Sequence, residues 1–312
     1  MTKHDFIHKF EDLICMGDSN AANHFAYENK RAVIPAKLFR YTAISEYAID
    51  NLVNEQHCLN NPRSFNDPFD CWYSKDAVAE QMQLLKAEAD FIIPFFKQLG
   101  IDVSAEDFTG DDWIERLSHK LPAHMGSTFV MELQKKMQPA NTFAHTTMNT
   151  WLDGYMRIVC LTQNPPTNLL MWSHYADCHK GICLEYDFRE CDDVTYAMLL
   201  PVIYQTNIKR VERNGNNENS YWESKILQAV LCKSHEWNYE NEWRVIKCLD
   251  FPSDKKYFHK TPFIKHIYIG ALANKNELLA KCLEYAFSAN IPVSQMQRCD
   301  TGFSLDAKPY KG

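Results

Sequence analysis

The sequence predicts an α+β protein with a mixed or antiparallel sheet core and a helical insertion. Two observations carry this. Short apolar strand-like runs and helical patterns follow one another without strict alternation, which argues against a doubly wound parallel sheet. A long, almost uninterrupted helical stretch, at about 76–155, falls between two strand-bearing regions, 36–75 and 156–300.

Taken in order, residues 4–16 carry Phe6, Phe10, Leu13 and Ile14 at helical spacing. The polar stretch to residue 35 reads as an irregular arm. Residues 36–41 read as a strand, 43–55 as a helix with Ile44, Tyr47, Ala48 and Leu52 on one face, and 57–59 as a second strand. Residues 60–70 hold two prolines and three asparagines, a loop of fixed turns. Helices are expected at 76–98, 111–120 and 125–153. A buried strand follows at 157–163, a helix at 168–178 that Thr167 could cap, and a strand at 181–187 after Gly181. Beyond these come a strand at 199–204, an Asn-rich loop at 207–220, a helix at 221–234 and a strand from Glu242. The end gives a strand (264–269), a helix (274–289), a strand (293–299) and a tail from 301 to 312. The organisation predicted is an N-terminal arm (1–35), a single domain (36–300) and that tail.

Composition narrows the function classes. The chain has 312 residues, 46% hydrophobic and 23% charged, with a net charge of −7. That length supports a large core without staples, and the acidic balance argues against a nonspecific nucleic-acid binder. None of the eleven cysteines forms a C-x-x-C pair, and most lie in apolar runs, as reduced thiols of a reducing compartment do. The N-terminus lacks the apolar core of a signal peptide and no 18-residue apolar run occurs, so the expectation is a cytoplasmic protein away from membranes. With ten glycines there is no Walker loop, no G-x-G-x-x-G and no G-x-S-x-G elbow.

Five blocks stand out: Leu38-Phe39-Arg40-Tyr41, Ser64 to Asp70 (SFNDPFD), Met171 to Ala176 (MWSHYA), Gly181-Ile182-Cys183-Leu184, and Tyr239 to Arg244 (YENEWR). In this order, over roughly residues 36–270, they resemble the signature blocks of a bacterial domain-of-unknown-function family, number 2971. That resemblance implies a bacterial protein with a link to phage defence or stress. The block order is also similar to that of ADP-ribosyltransferases, which place an Arg or His on an early strand, a Ser-containing segment after the next, and a Glu at the start of a late strand. Arg40, Ser64 and Glu242 match those positions, although the Ser-Thr-Ser triplet is missing. The resemblance implies an ADP-ribosyltransferase-like fold and NAD as substrate.

The chemistry such a site needs is well defined. Breaking the nicotinamide–ribose bond builds positive charge on the sugar, which a carboxylate stabilises. An Arg grips the pyrophosphate bidentately, and an aromatic stacks on the nicotinamide. In this reading Glu242 stabilises the oxocarbenium, Glu240 activates the acceptor and Arg40 binds the pyrophosphate. Ser64, Asn66 and Asp67 shape the pocket, Tyr41, Trp172 or Tyr175 stacks, and His174 and Arg244 lie alongside. The acceptor, protein or nucleic acid, is open.

Each residue also has a structural reading. Arg40 could bridge to Asp67 or Asp70. Asn66-Asp67-Pro68 is a turn-former. Trp172 and Tyr175 could be core, and Arg244 could neutralise both glutamates. Glu240 and Glu242, on an extended segment, would share a face. Two further functions stay open: a non-catalytic nucleotide- or protein-binding component, and a metal-dependent nuclease using Asp67, Asp70, Glu185 and Asp187. His174, Cys178 and His179 fall close enough together to raise zinc as well, but no metal ligand is assigned.

Overall fold

Strand β1, Leu38–Thr42, alternates its side chains between two cores, and this alternation organises the molecule. Phe39 and Tyr41 join Met171, Trp172, Ala176 and Cys183 on one side of the sheet. Leu38 joins the larger core on the other, with Ile182, Leu184 and Tyr186. The computed structural model describes residues 1–72, 89–98, 100–108, 113–121, 148–213 and 217–311.

The main sheet has eight strands in the order β12-β11-β10-β4-β1-β3-β8-β5. Its members are β1, β3 (Met156–Thr162), β4 (Ile182–Tyr186), β5 (Leu199–Pro201), β8 (Glu242–Cys248), β10 (Ile264–Ile269), β11 (Val293–Arg298) and β12 (Leu305–Pro309). All neighbours are antiparallel except β10 and β11. Two small ladders flank it: β2 (Gln56–Leu59) with β9 (Tyr257–Lys260), and β6 (Ile203–Gln205) with β7 (Cys232–Ser234). The fold is α+β.

Most predicted strands and helices of the core are present within a few residues; β7 and β9 have no counterpart among the expected elements, and four further segments differ. Residues 19–29 form a helix, α2 (Ser19–Asn29), capped by Asp18 and packed beside α1 (Lys3–Cys15). It buries only Ser19, Ala22 and Ala26, so it lacks the large apolar stripe that marks a helix in sequence. The arm therefore belongs to the core, through Phe6, Phe10, Ile14, Ala22 and Ala26. The tail likewise supplies β12, an edge strand that buries Leu305 alone. The expected strand at 199–204 is two strands, because the Val202 N–H donates to the Glu242 carbonyl between them (3.0 Å). The helix expected to reach 178 is α6, Leu169–Tyr175, after α3 (Glu46–Val53), α4 (Ala89–Gln98) and α5 (Trp113–Lys120). It stops because Asp177, Cys178 and His179 all adopt positive φ. Of the helical insertion, α4, α5 and the helix entering β3 are described, while 73–88, 109–112 and 122–147 lie outside the described residues.

One irregularity of the sheet positions the site. Most ladders run over three to seven residue pairs, but β1 meets β3 at a single one, Phe39↔Thr162. Past that point the two strands part. The β3 edge left free at Ile158 is taken by Asn60, which exchanges both backbone hydrogen bonds with it (2.7 and 2.9 Å).

Candidate functional site

The parting of β1 and β3 opens a cleft of about 390 Å³, within the usual range for a small-molecule site. Consecutive residues of both strands, 39–42 and 158–162, border it. In a pleated strand neighbours face opposite ways, so the opening lies between the strands and not over one face. The Ser64-Phe65-Asn66 turn and the His174-Tyr175 end of α6 complete the rim.

Beneath the cleft lies a buried ion network. Lys233 Nζ is 2.7 Å from Glu240 Oε2, 3.1 Å from Glu242 Oε2 and 3.5 Å from Asp70 Oδ2. Arg244 donates from Nε to Glu242 Oε1 (2.8 Å), from Nη2 to Asp70 Oδ2 (2.7 Å), and from Nη1 to the Val230 carbonyl (2.7 Å). All five side chains are 4% exposed or less. Three carboxylates thus face two cations, which leaves one uncompensated negative charge.

Local structure explains how these groups meet. Glu240 is not on an extended segment. It ends a 3-10 turn, His235–Glu240, and Asn241 then turns the chain with φ 46° into β8. The turn is clasped by the loop after β3: Gln163 N–H donates to the Asn241 carbonyl (3.1 Å), Thr162 Oγ1 to the Glu240 carbonyl and Asn164 Nδ2 to the Tyr239 carbonyl. Both carboxylates therefore converge on Lys233 without a shared strand face.

The two glutamates differ in character. Burial works against the charge of Glu242, but Arg244 and Lys233 outweigh it and bring its pKa down to about 2. Burial dominates at Glu240 and raises its carboxyl above the usual range despite Lys233 and Tyr175. Burial also opposes the charge on Lys233, yet Glu242, Asp70 and Glu240 hold its ammonium well above the ordinary value. Tyr175 donates its hydroxyl to Glu240 Oε1. The Cys160 thiol borders the cleft beside Glu242 and is exposed there.

The predicted residues fall into three groups. Arg40, Tyr41, Ser64, Asn66, His174, Tyr175, Glu240 and Glu242 all border the cleft, and Arg244 lies just behind Glu242. Arg40 pairs with neither Asp67 nor Asp70: its Nη1 donates to His57 Nδ1 (2.7 Å), and the cation that takes Asp70 is Arg244. Trp172 does not reach the cleft. It is 0% exposed, donates from Nε1 to the Pro166 carbonyl (2.6 Å) and packs edge-on to Tyr41. Asp67 is a turn residue, with Oδ1 accepting from the Phe69 N–H (2.9 Å).

The carboxylates considered for a nuclease are dispersed: Asp70 is on Arg244, Glu185 on Lys37 and Tyr268, Asp187 on Arg189. Among the described residues no group of three His, Cys, Asp or Glu is arranged to hold a metal ion. Nor is any helix among them long and apolar enough to cross a membrane.

Lys233 is the site residue that sequence reasoning missed. Its one signal is position, a single cation closing the apolar run Ile226 to Cys232 (ILQAVLC).

A family model described as protein of unknown function (DUF2971) matches residues 171–245. The match takes in most of α6, and β4, Lys233, Glu240, Glu242 and Arg244, and so most of the ion network. No curated protein and no solved structure matches the chain at a significant level.

Proposed function

We propose that the split between β1 and β3 binds the nicotinamide–ribose end of NAD and breaks its glycosidic bond, by transfer of ADP-ribose or by hydrolysis. The observation that carries this reading is a separation of charge across a cleft of ligand size. One wall holds the net-negative network, and the other holds Arg40, which no carboxylate pairs among the described residues.

Each part has a role. As the C1′–N bond breaks, its electron pair leaves with nicotinamide and positive charge grows on the ribose. The uncompensated negative charge stabilises that cation from a desolvated position, where it acts most strongly. Glu242 holds Lys233 and Arg244 in place, since both its oxygens are engaged by them. Glu240, more basic than an ordinary carboxylate, takes the proton of the attacking water or acceptor hydroxyl as oxygen bonds to C1′. Arg40 faces the phosphates. Tyr175 and His174, at the rim, offer rings to the nicotinamide. The cellular setting, a bacterial cytoplasmic effector in phage defence, rests on the resemblance of the sequence blocks alone.

A second reading, binding without turnover, is favoured by the same occupancy of Glu242, both of whose oxygens already accept from Lys233 and Arg244. One experiment separates the two. The purified protein is incubated with NAD and nicotinamide release is followed by proton NMR, beside Glu240→Gln. Release by the wild type and not by the variant supports turnover. Shift changes on adding NAD without release favour the binding reading. Neither release nor shift change removes NAD as the ligand.

A further inference from the structure

A second, smaller cavity of about 50 Å³ lies between α3, β2 and the adjoining parts of β1, β4 and β10. It has room for one or two waters or a single small oxyanion, and none for a nucleoside. Its polar lining includes the Arg40 guanidinium, the His57 ring and the Tyr47 hydroxyl, beside Asn51, Gln56 and Glu55. A guanidinium can only donate, so the contact from Arg40 makes His57 Nδ1 the acceptor and places the ring proton on Nε2. His57 is 2% exposed, and its Nε2 has no partner among the described residues. Burial, with Arg40 and His259 nearby, holds His57 well below its ordinary pKa, so this tautomer is neutral and fixed. The Tyr47 hydroxyl is likewise buried, with the Cys58 thiol and the Asn51 amide in weak contact and no hydrogen bond of good geometry. Lys256 Nζ stands 3.9 Å from the centre of the Tyr47 ring. The acidic group at this cavity, Glu55, is exposed and accepts from the Tyr285 hydroxyl (3.1 Å).

Buried donors without acceptors are costly and rare, and two of them beside a guanidinium at one cavity point to an occupant that accepts. We propose that this cavity is a site for one phosphoryl group, held by the Arg40 guanidinium, the His57 Nε2–H and the Tyr47 hydroxyl. Three donors from three side chains match the several oxygens of a phosphoryl group better than the two of a carboxylate. Arg40 and Thr42 border both this cavity and the split. The group is therefore either free phosphate or the phosphate end of a molecule lying in the cleft. The assignment does not depend on turnover in the cleft.

The test is a ³¹P NMR titration of inorganic phosphate at neutral pH and moderate salt, on the wild type, Arg40→Gln, Tyr47→Phe and Glu240→Gln. Saturable binding by the wild type is expected, weakened about tenfold or more by R40Q and several-fold by Y47F, and unchanged in E240Q. Y47F removes one oxygen and no volume, so it guards against misfolding of the arginine variant. Absence of saturable binding, or equal binding by wild type, R40Q and Y47F, overturns the site. ADP-ribose is then added to the phosphate complex. Competition assigns the phosphoryl group to a ligand of the cleft, and no competition assigns it to free phosphate. E240Q can abolish nicotinamide release while leaving phosphate binding intact, so the two readings fail separately.

Discussion

Lys233 Nζ lies 2.7 Å from Glu240 Oε2, and both side chains are 4% exposed. An ammonium this deep in the fold is tolerated because it is shared among three carboxylates. The same sharing makes the cluster sensitive to its loss. Lys233→Met leaves Asp70, Glu240 and Glu242 with Arg244 alone, and uncompensated buried charge costs about 3–5 kcal/mol. A urea unfolding curve should show that loss as a lower midpoint with little change in slope. Adding Glu240→Gln to K233M should recover part of it. An unchanged midpoint in K233M would mean that the network contributes nothing to stability.

The network also sets an acid limit. The folded-state pKa of Glu242, about 2, lies below its ordinary value of 4.5. Its contribution is therefore present above pH 4.5 and is lost as the pH falls through about 2. Linkage puts the size at roughly 3 kcal/mol. Glu240 is shifted the other way, so its favourable term is complete below pH 4.5 and fades as the pH rises through its folded value. Below pH 4.5 Glu240 adds no slope, and Glu242 dominates the pair. Denaturant unfolding between pH 2 and 5 should therefore be steeper in pH for the wild type than for Glu242→Gln. Parallel curves would show that Glu242 is not held ionised by its cations.

Gly181 tests the backbone that carries the rim. A Cβ there would stand 2.1 Å from the Thr42 carbonyl oxygen and 3.0 Å from backbone atoms of Ala176. The Gly181 N–H also donates to the Ala176 carbonyl (2.8 Å), closing the turn after α6. Neither neighbour is a flexible side-chain end, so Gly181→Ala should lose about 3 kcal/mol or more. Gly302 has nothing within 4 Å of its Cβ position, and Gly302→Ala should stay within about 0.5 kcal/mol of the wild type. Equal melting temperatures for the two variants would contradict this packing.

How much of this was legible in the sequence follows from what each residue contacts. Strands β1, β3, β4 and β8 read clearly because they are short runs of buried, mostly apolar side chains. α2 and β12 did not, because one buries two alanines and a serine and the other a single leucine. Arg40, Tyr175, Glu240 and Glu242 could be picked out by residue type and block, and they do meet at one cleft. Their partners could not. Lys233 reaches Glu240 because the 3-10 turn His235–Glu240 folds the chain back after β7, and His57 meets Arg40 across two strands that share no ladder. The exclusion of Trp172 from the cleft likewise depends on its bond to the Pro166 carbonyl, which no helical periodicity encodes.

Tyr175 links the stability of the network to the proposed chemistry. Its hydroxyl donates to Glu240 Oε1, and this bond lowers the pKa of a carboxyl that burial raises. Tyr175→Phe removes the bond and keeps the ring. Lys233 remains on Oε2, so losing the Tyr175 bond raises the Glu240 pKa further without freeing the carboxyl. If Glu240 is the base for nicotinamide release, the acid limb of the pH–rate profile moves to higher pH, while the rate above it falls modestly. A purely structural tyrosine would lower the rate at every pH without moving the limb. An unmoved limb in Y175F, with release still abolished by E240Q, would mean that the titrating group is not Glu240 and that its carboxylate acts by fixed charge alone.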